Sequence, residues 1–431
     1  MDSAQETIKY TNSEKRRTLL GVFLGYLFDG YDLQIISYVL SPMSTSLNTS
    51  ISTLALAITY SLYGSVIGGF VFGWLADLFG RKRTLLLTIF TFGIFTLLTG
   101  FVNEVNQVYI LRFLAGLGIG GEWGIGFSLL NEAWPEKTRG KAGSVLFSMY
   151  PYGLLAAALT SGVLLARFGG SLGWRYSFIV AGLLSLILLS LRFVLPESKV
   201  WKAYMEKRKQ GSLPKEYDTR TPMVQIFTKK MRITTSLISF FSAFALFGGY
   251  SMIVFTPTYL GRVLHIPVVD YTLIISLALL IGTPGYFVDG YLADRFGRKR
   301  AIQIFVPGLI LTLLALYYLV LSGPSYASIL TFPIFYALVS FDFFQGYFGH
   351  LGVWFGELYP TKVRATASNF AFVVAGRGLG AASAPILIPM LLPYVLNYGV
   401  AMTVGGIIGA IGALIFSFFI KETKGTVITP V

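Results

Sequence analysis

The stretch GWLADLFGRKR, residues Gly73–Arg83, returns almost letter for letter as GYLADRFGRKR at Gly290–Arg300. Each copy closes one apolar run and opens the next. A charged hinge repeated at the same place in a hydrophobic pattern marks an internally duplicated membrane protein. The pattern predicts an all-α membrane protein, twelve transmembrane helices in two pseudo-symmetric six-helix bundles.

Composition agrees. Of 431 residues, 54% are hydrophobic and 13% charged, too little charge to cover a soluble surface of this size. Apolar runs long enough to cross a bilayer at about 1.5 Å per residue are expected at 19–40, 55–76, 84–102, 108–131, 142–165 and 175–195. Six more follow at 234–258, 270–292, 301–321, 328–352, 366–392 and 396–420. The first run follows a charged, Glu-containing segment and precedes further spans, so it reads as part of the mature protein, not as a cleaved signal. Cysteine is absent, which excludes disulfides and thiolate metal sites.

A formal charge of +14 invites a nucleic-acid reading, but its distribution argues against one. Nearly all Lys and Arg fall at the termini or on one set of alternate connections. Arg167, Arg175 and Arg262 lie on the opposite side, and Arg112 and Arg377 lie within spans. Basic loops on one side are the positive-inside pattern, which puts both termini in the cytoplasm of a multi-pass cell-membrane protein.

The longest polar connection, 196–233, carries ten Lys or Arg and divides an amino-terminal unit, 1–195, from a carboxyl-terminal unit, 234–431. Asp77 and Arg81 match Asp294 and Arg298 at an offset of 217. Glu132, Pro135 and Arg139 match Glu357, Pro360 and Arg364 at 225, as Glu197 matches Glu422. Two repeats in the same orientation imply a pseudo-two-fold axis along the membrane normal, with a path between the halves.

On these motifs the chain resembles a major facilitator superfamily transporter over essentially its whole length. The resemblance implies two bundles that rock around a central site. It also implies that Asp77, Arg81, Glu132, Arg139, Asp294, Arg298, Glu357 and Arg364 form a cytoplasmic gate closed in the outward-open state. Asp77 with Arg81, Asp294 with Arg298, Glu132 with Arg139 and Glu357 with Arg364 are the expected pairs.

Charges at membrane depth are costly unless paired, so they mark function. Asp29, Asp32, Arg112 and Glu122 stand in the first half, and Asp342 and Arg377 in the second, with His350 nearer the cytoplasmic edge. Asp29 falls near the midplane and Asp32 almost a turn further out, on the same helix face. Asp32 with Arg112 is the simplest pairing. A carboxyl whose Arg partner moves can exchange a proton, so Asp29, Asp32, Arg112 and Glu122 are candidates for proton coupling. Sodium held by the same carboxylates is the alternative ion. RFLAGLGIG, Arg112–Gly120, resembles the family's fourth-helix motif, which implies a coupling role for Arg112. Arg377, inside AGRGLG at Ala375–Gly380, is placed to hold a carboxylate with its planar fork. The alternative is an internal pair with Asp342 or another acid.

DGYDLQ at Asp29–Gln34 and GGEWG at Gly120–Gly124 resemble the aromatic acid, sialate and carboxylate proton symporter branches. The implied solute is a small organic acid, driven by the proton gradient with no metal or other cofactor. Tyr31, Trp123, Tyr152, Tyr347 and Asp342 are expected beside Arg377 in the binding site, and Tyr26, Tyr150, Tyr250 and Phe344 are further aromatic candidates. Sugar or phosphate proton symport and uncoupled facilitation remain alternatives. PES at Pro196–Ser198 matches sugar porters, but the seventh span, Ser239–Leu260, lacks the paired glutamines that would hold hydroxyl groups. No nucleophile–base–orienter set is visible, so an enzyme is not expected. The protein is expected to work as a monomer.

Overall fold

The repeated hinge folds as helix, glycine, helix. In this computed structural model, which describes residues 10–210 and 221–428, Ile51–Phe79 ends at Gly80 and Arg81–Thr99 starts immediately after it. The second copy runs Pro284–Phe296, Gly297, Arg298–Ser322. The two glycines have φ of +108° and +115°, a backbone that side-chain-bearing residues rarely adopt. Beside each sits a carboxylate. Glu197 accepts from the Arg81 and Lys82 amides at 2.9 and 3.2 Å, and Glu422 from the Arg298 and Lys299 amides at 2.9 and 3.1 Å. These carboxylates satisfy amides that a helix start leaves unpaired and oppose its positive end. A Cβ on either glycine would come within 2.4 Å of the capping oxygen. The spacing of Glu197 and Glu422 in the sequence thus has a structural cause.

Among the described residues there are ten helical stretches long and apolar enough to cross a membrane. One of them, Glu136–Ser190, spans 55 residues and is two spans joined at Gly169, where φ is +73°. A twelfth span is too broken to count as one helix. It runs as Pro333–Phe344, a tight turn at Gln345–Phe348 and Leu351–Glu357. The sequence pattern puts this tenth span at 328–352, five residues early. Ile329–Thr331 is instead a separate turn, and Pro333 opens the helix where its missing N–H costs nothing.

The first bundle comprises Asn12–Ser46, Ile51–Phe79, Arg81–Thr99, Val105–Ala133 and the two spans between Arg139 and Arg192. The second comprises Arg232–Thr258, Val268–Gly282 continuing as Pro284–Phe296, Arg298–Ser322, the broken tenth span, an eleventh from Arg364 to Leu391, and Tyr398–Phe419. Lys199–Lys209 and Pro222–Gln225 lie between the bundles in sequence. Residues 211–220 of the expected linker, with 1–9 and 429–431, lie outside the described residues. Within the first bundle, Gly116 and Gly120 bring the fourth span against the backbone of Ser61 and Ser65 in the second.

The bundles differ in regularity. The seventh span ends in a wide π turn, Tyr259–Val263, and the eleventh is π-helical over Phe370–Ala381, the stretch that carries Arg377. Wide turns of this kind collect at functional sites. The face where Asn12 begins and Phe419 ends is the terminal side of the molecule.

Candidate functional site

At the terminal side the eight expected gate residues form two clusters related by the internal repeat. Arg81 contacts Asp77 and Glu132, each at 3.0 Å, and Glu132 also takes Arg364 from the other bundle at 2.6 Å. Arg298 contacts Asp294 at 2.8 Å and Glu357 at 3.2 Å, and Glu357 takes Arg139 from the other bundle at 2.7 Å. The pairs expected from sequence, Glu132 with Arg139 and Glu357 with Arg364, are therefore exchanged between the halves. The cause is local. The chain turns at Pro135 and Glu136–Thr138, and Arg139 spends two donors on the Trp134 carbonyl before its remaining arm reaches across. Each buried cluster balances two acids with two bases, which keeps the cost of burial down.

The hinge aspartates bridge as well. Asp77 accepts from the Thr366 amide at 2.8 Å and from its hydroxyl at 2.7 Å, near the start of the eleventh span. Asp294 accepts from the Gly140 and Lys141 amides at 2.8 and 2.9 Å, at the start of the fifth. Each aspartate therefore caps a helix of the opposite bundle. Asn131 donates to the Gly352 carbonyl at 2.9 Å, and Asn369 accepts from the Gly124 amide at 2.8 Å.

Above this ionic layer lies an aromatic one. Trp123 stacks on Phe372 at 3.9 Å between ring centroids, and Phe147 packs against Phe348 at 5.7 Å and Tyr286 at 5.8 Å. These contacts join the bundles. Tyr26 meets Phe147 at 5.3 Å on the inner side of the same layer.

Asp29 and Arg377 form a third cross-bundle contact, Oδ2 to Nη2 at 3.4 Å, and both are buried. Tyr26 lies three residues before Asp29 and Phe372 five before Arg377, so this pair sits roughly 4–8 Å further from the terminal side than the aromatic layer. Among the described residues, Oδ1 of Asp29 and Nη1 of Arg377 have no hydrogen-bond partner. Tyr26, Tyr150 and Tyr250 are within electrostatic range of Arg377. The internal pair with Asp342 is not formed. Asp342 is half-buried, backs onto Gly282, and has no hydrogen-bond or ion-pair partner among the described residues. The glycines beside Arg377 serve helix packing: Gly376 faces Ser242 and Leu246, and Gly378 faces Val66.

The remaining intramembrane charges of the first bundle are satisfied within it. Asp32 meets Arg112 at 2.5 Å and accepts from the Thr96 hydroxyl, while Arg112 also reaches Ser61 at 3.3 Å. Glu122 meets Arg192 at 2.8 Å and accepts from the Thr88 hydroxyl. Arg192 is invisible to a sequence reading because it stands at a span end, where a basic residue passes for a topology signal. Its guanidinium fits only because Gly25 has no Cβ, which would lie 1.5 Å from Nη2.

The expected aromatic residues scatter. Trp123 belongs to the aromatic layer. Tyr31 binds the Thr160 hydroxyl at 2.6 Å inside the first bundle. Tyr152 is half-buried with no hydrogen bond among the described residues. Tyr347 stacks on Phe348 at 4.4 Å, and Phe344 packs against Phe305 within the second bundle.

Comparison with known proteins places this architecture. Residues 22–378 match the Major Facilitator Superfamily. A protein of Haemophilus influenzae named for metabolite transport is 31% identical over 418 residues, 96% of this chain and 98% of that one. The chain belongs to the Major Facilitator Superfamily and is a transport protein, not an enzyme. The cis,cis-muconate transport protein of Acinetobacter baylyi is 30% identical over 436 residues, covering 96% of this chain and 98% of that protein. The proton:xylose symporter XylE, solved with 6-bromo-6-deoxy-D-glucose, shares the fold with a TM-score of 0.79 at 21% identity, over 97% of this chain and 98% of that one.

Proposed function

We propose that this chain carries a small organic carboxylate together with a proton across the cell membrane by alternating access, with Arg377 holding the anion and Asp29 the proton. One observation supports this above all: the two groups face each other across the bundle interface, and each keeps an unused valence. Charge accounting then links the two ligands. With the site empty, Asp29 neutralises Arg377. A bound carboxylate would add a second anion beside a buried carboxylate, a repulsion relieved when Asp29 takes up one proton. The loaded site is again neutral, so anion and proton are taken up together.

The other charges fit supporting roles in this reading. Asp32 and Arg112 form a fixed pair beside the site, and Arg192, donating to the Gly21 and Leu85 carbonyls as well as to Glu122, ties the sixth span to the first, third and fourth. A proton suits the site better than sodium, because Asp32 is already engaged by Arg112 and Thr96. Trp123 and Phe372 would form the floor beneath the solute, with Tyr150 beside it. Tyr31, Tyr152, Tyr347 and Asp342 are kept as wall residues only. The muconate relative supports a carboxylate, since muconate is a dicarboxylate. A hexose fits less well, because the seventh span offers no glutamine.

The terminal side is assigned to the cytoplasm on the one-sided distribution of Lys and Arg. The chain has no cysteine, so single introduced cysteines probed with a membrane-impermeant maleimide test this directly. A monomer is the proposed working unit, because the path lies between two bundles of one chain; mass measurement in nanodiscs checks it.

The decisive experiment is uptake into proteoliposomes of benzoate, muconate and a hexose under an imposed pH gradient. Carboxylate uptake is expected to rise with an acidic outside and to collapse with a protonophore, while the hexose stays at background. Uptake indifferent to the protonophore would remove proton coupling, and hexose uptake would remove the anion.

A further inference from the structure

The second bundle holds a buried acid–base pair that takes no part in the Asp29–Arg377 site. Asp289 lies on Pro284–Phe296, five residues before the gate aspartate Asp294, and His350 stands where the turn of the tenth span meets Leu351–Glu357. Both side chains are fully buried, with Nδ1 of His350 2.7 Å from Oδ2 of Asp289. The other ring nitrogen, Nε2, is 2.9 Å from the Arg298 carbonyl oxygen. Among the described residues, Oδ1 of Asp289 has no partner.

These contacts set the proton count. A carbonyl oxygen only accepts, so Nε2 carries a hydrogen and donates it to Arg298. Nδ1 and Oδ2 then need one more proton between them. If His350 is charged, the proton is on Nδ1 and Asp289 is ionised. If His350 is neutral, the proton is on Asp289, which donates to Nδ1. Without that proton, two lone pairs would face each other at 2.7 Å in a site without water access, and the pair would carry a net negative charge.

The pair reports directly to the gate. Arg298, whose carbonyl holds His350, is the residue whose side chain gathers Asp294 and Glu357 and also donates to the Glu136 carbonyl of the first bundle at 3.3 Å. The charged group facing the pair from the ninth span is Arg298. Tyr286 lies within electrostatic range on the eighth. The fifth span presents the Ser144 hydroxyl at Gly290 and Gly349, and nearer its start the Lys141 ammonium over the Tyr291 ring of the eighth span at 5.0 Å.

We infer that Asp289 and His350 form a second proton-binding site, whose bound proton belongs to the conformation closed at the terminal side and is released when that side opens. Parting the bundles breaks the Arg298–Glu136 and Asp294–Gly140 contacts and admits water to the inner ends of the eighth and tenth spans. The hydrated pair then loses its proton freely, whereas the buried pair does not. Acidity on the terminal side therefore holds the gate shut. This mechanism requires no solute and is independent of the roles given to Arg377 and Asp29.

The test uses the full chain carrying Ser128→Cys. Ser128 is fully buried and lies one helical turn from Glu132, between the aromatic layer and the gate. The rate of maleimide labelling in nanodiscs, without solute, reads opening of the terminal side. Corrected for thiolate content with a fully exposed cysteine, it is expected to rise with pH by up to about tenfold per unit, the limit for one linked proton. His350→Gln and Asp289→Asn should each flatten that profile, whereas Asp29→Asn, which removes one cross-bundle ion pair, should shift the overall rate and leave the slope. A flat profile in the parent overturns the inference, which guards against variants that fail to fold. A profile of parental slope in a folded His350→Gln protein overturns it too, as does loss of the slope in Asp29→Asn with retention in His350→Gln.

Discussion

Arg377 and Asp29 carry the transport reading, and they should fail differently when altered. Arg377→Ala removes a charge-assisted contact to a desolvated carboxylate, worth roughly 1.5–3 kcal/mol, so affinity for the carboxylate should fall about ten- to a hundredfold. Arg377→Lys keeps the charge and loses the fork, and should fall between the two. Equilibrium binding by scintillation proximity reads both, with thermal melting in parallel because Asp29 would be left without its partner. Near-parental affinity in Arg377→Ala would remove Arg377 from the site. Asp29→Asn mimics the protonated acid: it should still bind the anion, with binding no longer improved by acid, and should exchange preloaded solute while failing to accumulate it. Full accumulation driven by a pH gradient would pass the coupling role to Asp32, whose Arg112 partner at 2.5 Å makes it the less mobile candidate.

At the level of elements, the two hinges make the sharpest prediction. Gly80→Ala and Gly297→Ala each force a side chain into positive φ and against the capping carboxylate, Glu197 or Glu422. Backbone strain of this kind costs about 1–3 kcal/mol, so each variant should melt at a measurably lower temperature. Glu197→Gln keeps one oxygen for the Arg81 amide, gives up the charge and the second oxygen facing the Lys82 amide, and should be milder because the backbone is unstrained. An unchanged melting curve for both alanine variants would show that the helix ends tolerate another hinge geometry. The hinge helices themselves are legible in the sequence. The π-helical stretch around Arg377 is not, since a widened turn leaves no periodic mark over so few residues, and its glycines read equally well as space for a solute.

For the whole molecule, the exchange of ion-pair partners between bundles can be measured as energetic coupling. With Ser128→Cys as reporter, Glu132→Gln and Arg364→Gln should each increase terminal-side labelling, and the double variant should exceed the stronger single one little or not at all. Glu132→Gln combined with Arg139→Gln should be additive within about 0.5 kcal/mol, because those residues share no contact. The opposite pattern would restore the within-half pairing expected from sequence. The ionic clusters, the aromatic layer and the Asp29–Arg377 pair are successive cross-bundle contacts from the terminal side inward. Opening a path there requires all three to part.

Much of this architecture is set by local and periodic properties that a sequence displays openly. Span length, the duplicated hinge, the one-sided basic loops and the isolated charges at membrane depth all follow from the cost of exposing polar groups to lipid, which acts residue by residue. Asp32 with Arg112 is legible for the same reason, as two buried charges at matching depth. Partner choice between halves is not. Arg139 and Arg364 each stand seven residues after the glutamate of their own half, yet the packing of the bundles sends each to the glutamate of the other. Arg192 reaches Glu122 because Gly25 leaves a passage, and Asp289 reaches His350 because two helices 61 residues apart lie side by side. Such contacts depend on where helices sit around the axis. One chain's hydrophobic pattern does not encode that angle, and tertiary packing does.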